Sequence, residues 1–267
     1  MWLLHLRASG STVGSLSLNV TREICSYIQD QLFAAICWES MQLYDLNTHK
    51  TTQHRLHVYV FSGYVQVDRT TVLIVGEEVL TLDLLTLQTT PLPALLTPRN
   101  CVGVAQIGNT VVAFGGNVDY KISALCEKSS FPRTHWTPLP PMHYARHSFT
   151  PCAFQALLYL TSTIDHRAVE SFSPHTETFT VLPVSLPPNV KLGCGSVAFM
   201  ANGELILLTG GKQMARWKVG ESHFHVSAMD RECSSFHPPL IVGTQVFIAN
   251  AVSLKLEKWS LKANRFA

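Results

Sequence analysis

The sequence predicts an all-β fold, and three observations carry that expectation. Helical periodicity is missing, whereas short β-branched and aromatic runs bounded by Gly, Pro, Asn and Ser recur along the whole chain. One kind of apolar strand returns six times: QLFAAICW (31–38), TTVLIVGE (70–77), NTVVAFGG (109–116), ALLYLTST (156–163), ELILLTGG (204–211) and TQVFIANA (244–251). A second, more polar unit follows these strands in a register of its own.

The strand runs end at 38, 77, 116, 163, 211 and 251, which makes the steps 39, 39, 47, 48 and 40 residues. Each run is almost continuously apolar, as a strand must be when both faces of its sheet are covered. The second unit places Asp45, Thr48 and Thr51 at steps of three, then Asp83, Thr86 and Thr89. It continues with Ser173, Thr176 and Phe179, with Lys218, Glu221 and Phe224, and with Ser260, Ala263 and Phe266. An Asp or Ser followed by Thr suits a tight hairpin, because such side chains bond the turn backbone. The third position is then free to pack between sheets. In the third unit Trp136 takes that position, after a turn stretched by SSFPR (129–133). Several strands per unit and a period near 40–50 residues are the mark of β-propeller blades, whose sheets bury two apolar faces by radial stacking. The expected architecture is one domain, 1–267, of about six four-stranded blades. The apolar residues 1–6 have no blade of their own and are expected to supply the last blade's outer strand, closing the ring.

Composition excludes several classes. With 46% hydrophobic and 14% charged residues the chain can bury a large core and does not read as disordered. A net charge of +2, without a basic stripe, argues against nucleic-acid binding driven by phosphate neutralisation. The run WLLHL (2–6) is shorter than a signal-peptide apolar region, and no window approaches the ~18–20 apolar residues of a membrane helix. Seven scattered cysteines without a CxxC pair suit reduced thiols and a cytoplasmic location rather than a disulfide framework.

These units resemble the Kelch repeat. Its Gly-Gly doublet stands at Gly115-Gly116 and Gly210-Gly211, its aromatic-Asp pair at Tyr44-Asp45, and its Trp-x-x-Leu-Pro…Arg segment in HWTPLPPMHYAR (135–146). The doublet is halved at Gly76-Glu77 and lost at Cys37-Trp38, Ser162-Thr163 and Asn250-Ala251. The resemblance implies a scaffold or substrate-adaptor role without catalysis, here without the BTB or F-box domain that often accompanies it. It also implies that Arg22, Arg99, Arg146, Lys191 and Arg231, each opening an innermost strand, cluster at one mouth of the central channel. Guanidinium forks grip carboxylates, so the expected ligand is a protein partner with an acidic segment, bound by a monomer. The alternative is that these cations bridge blades through backbone carbonyls.

Beside them runs a column of small residues, Cys25, Cys101, Ser148, Cys194 and Cys233. Strands spread around a channel hold those sulfurs too far apart for ~2.3 Å zinc bonds, so packing is the expected role, with no metal and no cofactor. His223 and His225 face the same way on a strand but have no evident third ligand. The alternative function is a small-molecule-binding or mutarotase-like enzyme site at the cationic mouth, which needs only a few convergent polar groups; of carboxylates, Glu23 and Glu232 stand beside the expected ring, where they could equally form ion pairs.

Overall fold

The computed structural model describes residues 62–233 except 69, 133–134, 162–165, 193–195 and 210, and strand segments between 23 and 55 and between 240 and 266. It is all-β, with no helix among the described residues and hence none able to cross a membrane.

The first sheet holds β1 (Glu23–Ile28), β2 (Leu32–Cys37), β3 (Ser40–Asp45) and β4 (Lys50–Arg55), and the second β5 (Gly63–Gln66), β6 (Thr71–Val75), β7 (Val79–Asp83) and β8 (Thr89–Leu92). The third is built from β9 (Gly103–Ile107), β10 (Thr110–Phe114), β13 (Cys126–Ser130) and β14 (Thr137–Leu139). A two-stranded ribbon, β11 (Asn117–Val118) and β12 (Lys121–Ile122), rises between β10 and β13. The fourth sheet holds β15 (Cys152–Phe154), β16 (Leu157–Leu160), β17 (Ala168–Ser173) and β18 (Thr178–Ser185). The fifth holds β19 (Val197–Ala201), β20 (Glu204–Leu208), β21 (Gln213–Lys218) and β22 (His225–Ala228). The last comprises β23 (Leu240–Val242), β24 (Gln245–Asn250), β25 (Lys255–Ser260) and β26 (Arg265–Phe266).

All pairings are antiparallel, and apart from β10 with β13, between which the ribbon β11–β12 intervenes, they join consecutive strands, the up-and-down order of a propeller blade. The second to fifth sheets are described with their side chains and stack as four blades of a propeller-like ring, where about six were expected. The first sheet is described as backbone strands, and residues 1–6, with the expected closure, lie outside the described residues.

The stacking has the physical cause the sequence pointed to. Strands β6, β10 and β20 each bury four consecutive residues, so both faces of their sheets are covered. Four apolar seams result among the described residues, one of them joining Phe199 of the fifth sheet to Trp259 of the last; the other three carry aromatics of the polar unit. Trp136 joins Leu73 and Val75 of the second sheet to Val104 and Val111 of the third, and its indole N–H donates to Pro93 O at 3.1 Å. Phe179 meets Phe114 across the next seam, 6.2 Å between ring centres, beside Phe172. Phe224 packs on Trp217 and Leu186 in the third. These aromatics occupy the third position of the polar unit, where seam packing was expected.

The turns also follow the sequence. Asp83 Oδ1 accepts the Leu85 and Thr86 amides at 2.9 and 2.7 Å and the Thr86 hydroxyl at 3.0 Å. The Thr86 amide, above all, holds the Asp83 carboxyl below its ordinary value. Ser173 Oγ accepts the Thr176 amide at 3.3 Å in the equivalent turn. The glycine doublet is required at Gly115, whose φ of +57° disfavours a side chain and where a Cβ would lie 2.2 Å from Arg146 O.

Candidate partner-binding face

Antiparallel order sends two kinds of connection to one end of each blade: the loop between its second and third strands, and the segment entering from the blade before. Backbone bonds tie the two together. Asn100 and Asn117 exchange amides at 3.2 and 2.7 Å, Gly116 N donates to Arg146 O at 2.8 Å, and Met229 N to Lys212 O at 2.8 Å. The segments entering the third, fourth and fifth sheets share one plan. A buried apolar residue, Leu95, Met142 or Val190, follows a proline-containing stretch and plugs the blade junction. The next residue's amide then donates to a side-chain oxygen on or at the start of the blade's third strand. Leu96 N reaches Glu127 Oε2 at 2.7 Å, His143 N reaches Glu170 Oε1 at 2.7 Å, and Lys191 N reaches Gln213 Oε1 at 3.2 Å.

Three residues further on stand Arg99 and Arg146. Each guanidinium is buried and its Nη1 pairs with the same glutamate, Arg99 with Glu127 and Arg146 with Glu170. Arg99 Nε also donates to Gly115 O at 2.7 Å and Nη1 to Thr97 O at 2.8 Å. Arg146 Nη2 donates to Ala168 O at 3.0 Å. Each Arg–Glu pair lies within one blade and stitches its entering segment to its third strand.

The expected cationic mouth is therefore redrawn. Arg99 and Arg146 are blade-internal struts, because an ion pair stripped of water is held by its own partners and has little to offer a ligand. Lys191 stands in the position of His143, not of Arg146; the residue in the arginine's place is Cys194, outside the described residues. Gln213 replaces the glutamate there, so anion and cation have gone together. Arg167 secures this segment instead, donating to Pro187 O through Nη1 and to Val190 O through Nη2 at 3.1 Å. Arg231 is half-exposed, with Nε 3.9 Å from Asp230 Oδ2, and Arg22 lies outside the described residues.

What the face presents is the residue that each anchored amide turns outward: Leu96, 58% exposed, His143, whose side chain is 52% exposed, and the exposed Lys191. His143 is tied to the same carboxylate by its ring. Its Nδ1 lies 2.8 Å from Glu170 Oε1, and a carboxylate already paired with Arg146 only accepts, so the hydrogen sits on Nδ1. In the neutral ring Nε2 is then the acceptor. Beside it, Tyr144 stacks on His166, 5.0 Å between ring centres.

The ribbon β11–β12 adds a projection. Its two tip residues, Asp119 and Tyr120, have φ of +47° and +62°, and Tyr120 is fully exposed. Ile122 and Leu125 are exposed at its base.

Of the small-residue column, Cys233 is buried, Cys101 is half-buried and Ser148 is exposed. Cys101 and Ser148 share a positive φ and are joined by Ser148 N to Cys101 O at 2.8 Å. Burial pushes the Cys126 thiol up to about 12, leaving it protonated beneath the face. Among the described residues no three His, Cys, Asp or Glu side chains converge as a metal site; His223 and His225 meet edge-on with ring centres 4.6 Å apart, and Glu221 lies 3.3 Å from His225 Nε2.

The sequence pattern missed Glu127, Glu170, Gln213, Leu96 and His143. A signal existed, since LLTPR (95–99) and MHYAR (142–146) share an apolar residue four before the arginine. The fold is a propeller-like arrangement of four-stranded antiparallel sheets. No family model matches the chain, and a search of curated proteins finds no match to it.

Proposed function

We propose that this protein is a Kelch-type propeller of six blades, closed by residues 1–6, that serves as a protein-binding scaffold or adaptor in the cytoplasm. The partner docks on the end where the entering segments and the loops between second and third strands meet. One observation carries this reading: three successive entering segments use the same anchored amide yet turn outward a leucine, a histidine and a lysine. A repeat that served stability alone would have no use for varied, exposed side chains at a position whose backbone is held so uniformly. Loops on a rigid scaffold are where binding residues concentrate. The four-stranded pairing of all six sheets, the doublet at Gly115-Gly116 and the segment 135–146 support the Kelch assignment. Described cysteines that are free thiols support a reducing compartment.

The test is crosslinking capture from cell extract with three full-length proteins: wild type, Leu96→Asp with Lys191→Glu, and the opposite-end control Glu221→Lys. The reading expects a stoichiometric partner with wild type and control, lost with the double variant. Equal capture by all three would overturn it.

A further inference from the structure

We infer that this face reads an extended segment of a partner protein in a fixed order: a large apolar side chain over the third blade, a hydrogen-bond donor over the fourth, and carboxylates over the junction of the fourth and fifth. The inference rests on the proposed partner-binding role and specifies its chemistry.

The apolar end is the most distinct. Six large hydrophobic side chains are exposed among the described residues, and Leu96, Tyr120, Ile122 and Leu125 are four of them, all on connections of one blade. They are held as a unit, because Arg99 Nε bonds Gly115 O and Asn100 pairs with Asn117 at the ribbon's base. The ribbon tip is strained as well. Two-residue hairpin turns with positive φ at both positions favour Asn-Gly, and a bulky residue there costs on the order of 1 kcal/mol or more. Here a tyrosine takes that position with its ring in water, so no packing within the described protein offsets the strain. A partner pocket for the ring would.

The opposite end is cationic. Lys191 and Lys212 are exposed on neighbouring connections, since Gln213, the residue after Lys212, binds the Lys191 amide through Oε1 and Asn189 O through Nε2. Arg167 lies against the same segment. The acids Asp230 and Glu232 belong to the following connection, where Asp230 faces Arg231. Carboxylates are the complement of Lys191, Lys212 and Arg167.

Between the two ends His143 sets the middle requirement. With Nδ1 held against Glu170 Oε1, the neutral ring accepts at Nε2, and a partner N–H or O–H is its complement there. A second copy of this chain would have to offer all three features in sequence, whereas a single extended segment does so with ordinary residues.

The test pans a phage-displayed library of random twelve-residue peptides on the full-length protein, then titrates enriched peptides, labelled with fluorescein, by anisotropy. The expected family carries one large apolar residue separated from two or more Asp or Glu. Leu96→Asp with Tyr120→Ser should weaken binding about tenfold or more, as loss of central anchors does. Lys191→Glu with Lys212→Glu should do the same and, panned afresh, select Lys and Arg in place of the acids. A peptide of reversed order should bind at least about tenfold more weakly. Enriched peptides without this order, yet lost with the face variants, would overturn the inference and leave the binding role standing. Binding indifferent to every face variant would overturn both. No enriched family, or concentration-dependent dimerisation abolished by Leu96→Asp, would also overturn the inference.

Discussion

Removing Glu170 should be among the most damaging single changes in the protein. The carboxylate is fully buried and accepts from Arg146 Nη1, from His143 N at 2.7 Å and from His143 Nδ1 at 2.8 Å. Glu170→Ala leaves the Arg146 guanidinium buried without its counter-charge, and breaking one side of such a pair costs about 3–5 kcal/mol. It also orphans the His143 amide that positions the entering segment. For a domain of this size the loss corresponds to a Tm lower by roughly 6–20 °C. Arg146→Met alone should cost a similar amount, because Glu170 would then be the uncompensated charge. The double variant Arg146→Met with Glu170→Leu should recover most of the loss, since buried pairs are often worth little against apolar replacements. Arg146 Nε finds no hydrogen-bond partner among the described residues, in keeping with a pair whose attraction is offset by desolvation. Urea unfolding of the four proteins, taken as a double-mutant cycle, measures the coupling. A loss below about 1 kcal/mol for Glu170→Ala, the usual scale of a surface pair, would refute the strut.

Other outcomes follow from particular contacts. Gly115→Ala should destabilise by about 2–4 kcal/mol through positive φ and collision with Arg146 O, whereas Gly211→Ala, where an added Cβ meets nothing within 4 Å, should fall within about 0.5 kcal/mol of wild type in the same urea assay. Thiol labelling near pH 8 should modify the partly exposed Cys101 in the native protein. It should spare Cys126 and Cys152, both pushed to about 12 by burial, until the protein unfolds. Asp83→Asn should cost about 1 kcal/mol near neutral pH by weakening the turn bonds. The folded Asp83 carboxyl lies below its ordinary 3.8, so its contribution is present above that value and fades as pH falls through the depressed one. The difference between wild type and Asp83→Asn should accordingly shrink in acid, and a difference that grows would contradict the turn geometry.

Much of the fold was legible because it obeys short-range rules. Continuous apolar runs such as those around β10 and β20 have no stable home except a sheet covered on both faces, and stacked blades provide it. Asp83 and Thr86 close their turn with their own side chains, so four residues of sequence contain the whole device. Phe179 and Phe224 follow such turns at a fixed step, which carries them into the seams. The face was less legible because its logic is long-range. Arg99 finds Glu127 28 residues on, and Arg146 finds Glu170 24 residues on, only after the third strand has paired in register. An arginine at the start of an inner strand therefore looked open to ligand when it is closed by its own blade. Lys191 was misplaced for a related reason: its segment keeps the anchored amide but has exchanged the arginine and glutamate for Cys194 and Gln213. Tyr120 carries no sequence signal, since only the backbone reveals a tyrosine at a turn suited to glycine.

Hydrogen exchange of the protein alone and with its captured partner tests the central claim most directly. Protection should concentrate at 93–100, 117–125, 140–148 and 188–192, the connections at the end bearing Leu96, His143 and Lys191. Protection confined to the opposite turns, at 84–88, 174–178 and 219–224, would place the partner at the other end and contradict the proposed face.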